Sequence, residues 1–427
     1  MNKVIEIFKQ ITSIPRCSQN HQPFIQYMQE FARQNNYECY IDDVNNILCK
    51  KQNSKAKLCL QSHYDIVCLQ ENKIPQIIQD GDFLKAKDST LGADNGIGCA
   101  MMMALMIEQK DCEYLFTSDE EIGLIGANDI GFELDSKYML NLDSEAQGEI
   151  CIGCAGGIDI FATSTNKQTV TNDTNKTLYS ITLDNLDGGH SGVDIDKNIP
   201  NAIKLVAKSV KEANATLLDI NGGQRINSIP KSCSAIVASN NKPKPTHKNM
   251  PIEQIDTVSD HYSALDDKVI DFIYSFANGI RSYDKNLNVV QNSINLALIQ
   301  TKPDNVKISL SARSMDNDEL ENLCNETICL LELCNFEVST NGKYPAWKPV
   351  QNDFTQKVLD IYKKHIPTAS LEAIHAGLEC AIFKQKYPNI QITSIGPNIY
   401  FPHSNRETVE LSSVDTIYKI VRDIVDD

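Results

Sequence analysis

Apolar residues near the start of the chain recur at helical spacing: Ile5, Phe8 and Ile11, then Phe24, Ile25, Met28, Phe31 and Ala32. Asn36 and Tyr37 mark a stop and a new start. The pattern then shortens to strand-like runs over residues 37–41, 46–49 and 57–62. The last of these runs into His63-Tyr64-Asp65. A glycine-rich turn precedes a strongly apolar helix predicted over 96–109. Two further strands are predicted, 112–117 leading to Ser118-Asp119-Glu120-Glu121 and 138–142 leading to Asp143. Strands alternating with helices predict an α/β sheet.

The texture changes near residue 165. Residues 163–177 are rich in Thr, Asn and Lys and read as a loop. Strands over 178–183, 294–299 and 306–312 follow, with helices over 201–213 and 317–331. The 306–312 run alternates apolar and polar, which suits a sheet with one wet face. Pro345 and Pro349 flank Trp347 as a second punctuation point. The pattern beyond it (helix 354–365, strand 371–374, helix 378–385, strand 390–395, helix 409–425) has the texture of the first part. The expectation is an α/β fold: a mixed-sheet first domain flanked by helices, interrupted by an inserted α+β domain. The first domain is expected over 1–177 and 345–427, and the inserted domain over 178–344.

Composition narrows the function. The 427 residues are 41% hydrophobic and 22% charged, ordinary globular usage that excludes wholesale disorder and suggests two or three domains. The formal net charge of -16 opposes phosphate backbones and anionic membranes, so neither nucleic acid nor membrane is an expected partner. No apolar run reaches the length of a membrane span, and the N-terminus lacks a signal-peptide core, so a cytoplasmic location is expected. Many of the 14 cysteines, such as Cys59 and Cys99, sit in apolar runs and read as small buried hydrophobes in a reducing compartment. Cys151 and Cys154 form a lone CxxC with no second pair at zinc-ribbon spacing.

The chemistry concentrates at predicted strand ends, where open α/β sheets build their sites. His63 and Asp65 end one strand and, two apart, point the same way. Asp94 lies among three glycines ahead of the apolar helix, as a metal-bridging carboxylate or, more blandly, a helix cap. Asp119, Glu120 and Glu121 alone would read as a solvated charged turn, but Asp143 ends the neighbouring core strand. Carboxylates converging on one sheet edge repel unless divalent ions lie among them. Histidine with carboxylate fits Zn²⁺, Mn²⁺ or Co²⁺ better than Ca²⁺ or Mg²⁺. Gly188-Gly189-His190-Ser191-Gly192 presents an imidazole on a shaped loop, and Arg313 at a strand end suits a carboxylate. His375 joins a strand to a helix, and His403 follows Gly396-Pro397 on the returning part. His21, His247, His261 and His365 lack such settings and read as surface or structural.

Together the runs Ser62-His63-Tyr64-Asp65, Gly92-Ala93-Asp94-Asn95-Gly96, Asp119-Glu120-Glu121-Ile122-Gly123, Asp187-Gly188-Gly189-His190-Ser191-Gly192, His375-Ala376-Gly377-Leu378-Glu379-Cys380 and Pro402-His403-Ser404 resemble the di-zinc metallopeptidases related to aminoacylase and carboxypeptidase G. Gly153-Cys154-Ala155-Gly156-Gly157 and the 375–380 run are most similar to its bacterial aminoacyl-histidine dipeptidase branch. The resemblance implies hydrolysis of unblocked dipeptides, Xaa-His among the candidates, with two divalent ions, Zn²⁺ first and Mn²⁺ or Co²⁺ as substitutes. It implies metal ligation by His63 and Asp143, by Glu121 and His403, and by Asp94 as bridge. Asp65 would orient His63, Glu120 would be the general base and His190 would polarise the scissile carbonyl. Asn227, Arg313 and His375 would touch the substrate's C-terminal part; the first domain would be catalytic, and the inserted domain would be a lid that forms a homodimer.

The chain departs from that family at Ile226, where arginine is usual, with Arg225 one residue earlier, and at Asn405, where proline is usual. It is also short for the branch, which implies a trimmed lid. A tripeptide aminopeptidase or an N-acyl amino acid deacylase would use the same site. A catalytically dead binding protein would not need Glu120, the ligands and His190 all intact, and a two-metal phosphoesterase would need a phosphate-cradling loop that the sequence lacks.

Overall fold

The computed structural model describes residues 3–70, 73–165, 167–168, 176–255 and 264–427. Much of the expected 163–177 loop, and His261, lie outside them. The chain forms two compact units. One holds Met1–Cys154, Trp347–Ala373 and Leu378–Asp427; the other holds Ala155–Ala346 and Ile374–Gly377.

The first unit is built on an eight-stranded mixed sheet in the order Glu38–Ile41, Ile47–Lys50, Glu113–Thr117, Leu58–His63, Tyr138–Asn141, Gln391–Ser394, Glu149–Cys154, Ser370–Ile374. The four from Glu113–Thr117 to Gln391–Ser394 run parallel. Every residue of Leu58–His63 and Glu113–Thr117 is buried, as parallel strands covered on both faces require. The helix Ala93–Ile107 is apolar all round, with Met101, Met102, Met103 and Leu105 wholly buried, so it serves as core. The amphipathic helix Lys3–Thr12 packs against it through Val4, Phe8 and Ile11. Because the central strands share a direction, their carboxyl ends deliver His63, Glu120, Glu121 and Asp143 to one edge.

The second unit is an antiparallel sheet with its own core. Gly156–Ser164 pairs with Val306–Ser314 on one side and Glu337–Tyr344 on the other. Helices Ala202–Glu212, Asp267–Ser275 and Asn317–Leu333 bury apolar faces in that core. Alternating burial along Thr177–Leu183 and Cys233–Ser239 leaves one face wetter.

Two expectations change. The first boundary falls at Ala155 rather than at 178, because Gly156–Ser164 pairs with strands of the second unit on both sides. Residues 374–377, expected in the returning part of the first domain, also join the second unit. Cys59 and Cys99 are buried outside any disulfide, as their apolar runs predict, while Cys17 and Cys68 form a disulfide. Among the described residues, no helix is long and apolar enough to cross a membrane.

Leu105 is wholly buried in the central helix. Leu105→Ala should cost about 2–5 kcal/mol, seen as a lower urea midpoint with an unchanged denaturant slope.

Candidate functional site

One cluster forms within the first unit. Asp94 and Asn95 depart from helical angles, so the regular helix begins at Gly96, as the spacing predicts. The Asp94–Asn95 peptide is cis. Asp94 has one oxygen toward each of two imidazoles. His63 Nε2 lies 3.1 Å from Asp94 Oδ1 and 3.2 Å from Asp143 Oδ1. His403 Nε2 lies 2.9 Å from both Asp94 Oδ2 and Glu121 Oε2. His63 Nδ1 is 3.1 Å from the Asp65 carbonyl oxygen and 3.5 Å from its carboxylate. That carboxylate accepts the backbone N–H of Glu120 at 3.0 Å and of Glu121 at 3.3 Å, and the Ser18 hydroxyl at 2.8 Å. Asp65 therefore fixes the Glu120–Glu121 backbone as well as flanking His63.

Two buried residues to which the sequence assigned no role brace the Asp94 loop. The Glu407 carboxylate accepts N–H from Leu91, Gly92, Ala93 and Asp94 at 2.7, 3.0, 2.8 and 3.2 Å. Arg16 donates to the carbonyl oxygens of Tyr64 and Gly92 at 2.8 and 2.7 Å. A Cβ at Gly96 would collide with that guanidinium. Glu407 had one sequence signal, its place after the final His-Ser; Arg16 had none. His21, read as structural, lies 2.8 Å from Asp119 and holds the turn before Glu120. Cys151 and Cys154 are buried and form no disulfide.

Burial and crowding decide the charge states. Burial pushes Glu120 well above the usual carboxyl range, with Glu121 and Asp143 adding to the effect. Burial and Asp94 raise Glu121 to about 7. Burial opposes a charged His403, but Asp94 and Glu121 outweigh it and raise it to about 11. His63 is likewise held high by Asp143, Asp65 and Asp94 against the pull of burial. The cluster therefore attracts positive charge. Glu121 Oε1 is buried with no protein partner, and His63, Asp94 and Glu121 each offer a ligand atom within 4.8 Å of the others. These imidazole and carboxylate donors fit Zn²⁺, Mn²⁺ or Co²⁺.

A second cluster forms within the second unit. Gly189-His190 pairs with Ser228-Ile229, which sets the His190 loop beside the Asn227 loop, and the Asn227 carbonyl accepts the Ser191 N–H at 2.8 Å. The Asn227 side chain is exposed, as is Arg225. The N–H groups of Gly192 and Val193 both donate to His190 Nδ1 at 3.2 Å. A neutral His190 therefore carries its proton on Nε2. Arg313 and His375 are buried, and a Cβ at Gly192 would stand 3.2 Å from both Arg313 Nε and His190 Cε1. His375 Nε2 lies 2.7 Å from the Ser293 hydroxyl; burial and Arg313 pull its pKa down to about 3, which keeps it neutral.

A sequence model described as Peptidase family M20/M25/M40 matches residues 59–427. The cytosol non-specific dipeptidase of Escherichia coli K12 is 31% identical over 468 aligned residues, 98% of this chain and 96% of the relative. The crystal structure of the aminoacylhistidine dipeptidase of Vibrio alginolyticus aligns with a TM-score of 0.81 at 28% identity, over 99% of this chain and 96% of that one. A tripeptidase of Staphylococcus aureus shares the fold, with a TM-score of 0.60 at 17% identity over 100% and 98% of the two chains.

Two outcomes follow from this geometry. Glu407→Ala should weaken divalent-metal binding about 10–100-fold, read by competition with a fluorescent chelator. The surrounding carboxylates hold His63 and His403 in their protonated forms, so a metal bound by these imidazoles would have to displace their protons. Metal affinity should therefore rise as pH increases through neutrality, with proton release measurable in weakly buffered titrations.

Proposed function

The chain belongs to peptidase family M20/M25/M40, and from that membership we propose that it is a cytoplasmic enzyme hydrolysing unblocked dipeptides with two divalent ions, Zn²⁺ first. The observation that carries this reading is the meeting of His63, Asp94, Asp143, Glu121 and the more exposed His403 beside Glu120. His63 and Asp143 would hold one ion and Glu121 and His403 the other, with Asp94 shared between them. When bound, such ions supply a water of lowered pKa and a Lewis acid for the substrate carbonyl.

The remaining roles belong to the chain's own groups. Glu120 Oε takes a proton from the attacking water and passes it to the leaving amine nitrogen. Burial raises the pKa of its carboxyl, which suits a group that must both accept and return a proton. Asp65 holds the Glu120 amide, and so fixes where that carboxyl begins. His190 offers Nε2–H to the oxygen on which negative charge develops, because Nδ1 is already occupied as an acceptor. Arg313, with His375 near it, binds the substrate's C-terminal carboxylate, and Asn227 contributes a further contact to that part of the substrate. The cytosolic setting is drawn from the name of the Escherichia coli relative. A homodimer formed through the second unit belongs to the same reading, and light scattering tests it.

The direct test is a substrate panel with metal-stripped protein and Zn²⁺, Mn²⁺ or Co²⁺ restored. Metal-dependent cleavage of dipeptides, Xaa-His included, supports the reading. Preference for a tripeptide or an N-acetyl amino acid would transfer it to an aminopeptidase or a deacylase. Glu120→Gln should lower kcat by roughly 10²–10⁴-fold while bound metal, measured by elemental analysis, is unchanged.

A further inference from the structure

Arg313 belongs to a row of residues that crosses four strands of the second unit. Ser293 stands opposite Arg313, Arg313 opposite Gly157, and Gly157 opposite Tyr344. Residues directly opposite share a face of the sheet, and a side chain on the middle strand would ordinarily separate those on either side. Here the middle residue has none. A Cβ on Gly157 would stand 2.6 Å from Tyr344 Cζ. Through that gap Arg313 Nη1 donates to the Tyr344 hydroxyl oxygen at 2.7 Å. The register shifts between Asn341 and Tyr344, an irregularity of the kind that re-aims a side chain. Gly377 clears the same ring, since a Cβ there would lie 2.7 Å from Tyr344 Cε2. Two glycines from separate runs, Gly156-Gly157 and Ala376-Gly377, thus make room for one aromatic ring.

The direction of the Arg313–Tyr344 bond matters. A guanidinium presents paired donors to a carboxylate along the edge formed by Nε–H and Nη2. Tyr344 takes Nη1, on the opposite side of that group, and leaves this edge available. Arg313 Nε is buried without a protein partner. Gly192 keeps the space beside Nε clear, where a Cβ would stand 3.2 Å away. A long, flexible side chain is thereby held in one orientation with a buried donor left unsatisfied, which lowers the ordering cost of binding an anion.

We propose that Tyr344 is a positioning residue that aims Arg313 at the α-carboxylate of the substrate and so sets the preference for peptides with a free C-terminus. The proposal rests on the carboxylate-binding reading of Arg313 given above. Removing only the hydroxyl frees Nη1 and lets the guanidinium turn, so binding of the carboxylate weakens while proton transfer at Glu120 does not change.

The test compares Tyr344→Phe, Gly157→Ala and Arg313→Ala in the zinc-loaded protein. Each is assayed on a dipeptide and on the same dipeptide with its C-terminus amidated. Tyr344→Phe should raise KM for the free dipeptide about tenfold, with kcat within about twofold of the wild type and kcat/KM for the amide unchanged. Gly157→Ala, which displaces the ring without deleting the hydroxyl, should give the same split. If Arg313→Ala loses the preference for the free acid and Tyr344→Phe keeps it, the carboxylate reading stands and the role of Tyr344 falls. Loss in Tyr344→Phe that is equal for acid and amide also overturns the role. If Arg313→Ala keeps the preference, Arg313 does not bind the carboxylate and both ideas fall together.

Discussion

Negative charge packed at the edge of a buried sheet is the constraint that organises the first unit. Asp65, Asp94, Glu120, Glu121 and Asp143 meet at the carboxyl ends of parallel strands, with low exposure to water. Like charges so placed cannot all remain ionised without positive charge among them. The two imidazoles respond by holding their protons, and Glu120 and Glu121 respond by favouring their neutral forms. A pair of divalent cations would relieve both responses at once. The scaffold holds the cluster together by tying its backbone: Glu407 gathers the amides of the Asp94 loop, Arg16 holds two carbonyls behind it, and Asp65 holds the amides of Glu120 and Glu121.

The second unit solves a different problem, the display of donors. His190 has its Nδ1 satisfied by backbone amides, so Nε2 is the donating nitrogen. His375 is neutral and locked to Ser293, so it adds no charge beside Arg313. Arg313 is anchored by one nitrogen and leaves another unsatisfied. The glycines that crowd these sequence runs have a common physical reason. Gly157, Gly192 and Gly377 each stand where a Cβ would strike an aromatic ring, a guanidinium or a carbonyl of this cluster.

Local order was legible in the sequence because each core strand and helix carries its own period. The run predicted at 57–62 is the strand Leu58–His63, the run at 138–142 is Tyr138–Asn141, and the apolar helix begins in regular form at Gly96. The acidic and histidine residues at strand ends could be named, because parallel strands place such residues on one edge. Non-local pairing was not legible. Nothing within residues 156–164 shows that they pair with strands some 150 residues later, so the domain boundary was expected in the loop after them. Glu407, Arg16 and Tyr344 act through backbone groups or through one distant side chain, and no local period marks them. The Cys17–Cys68 pairing likewise depends on the fold bringing together residues 51 apart.

The most direct measurement is a crystal structure of the zinc-loaded protein with anomalous data collected at the zinc edge. Two peaks are predicted, one on either side of Asp94, the first on His63 and Asp143 and the second on Glu121 and His403. A single peak, or peaks away from these residues, would contradict the view that the converging carboxylates form a two-cation site.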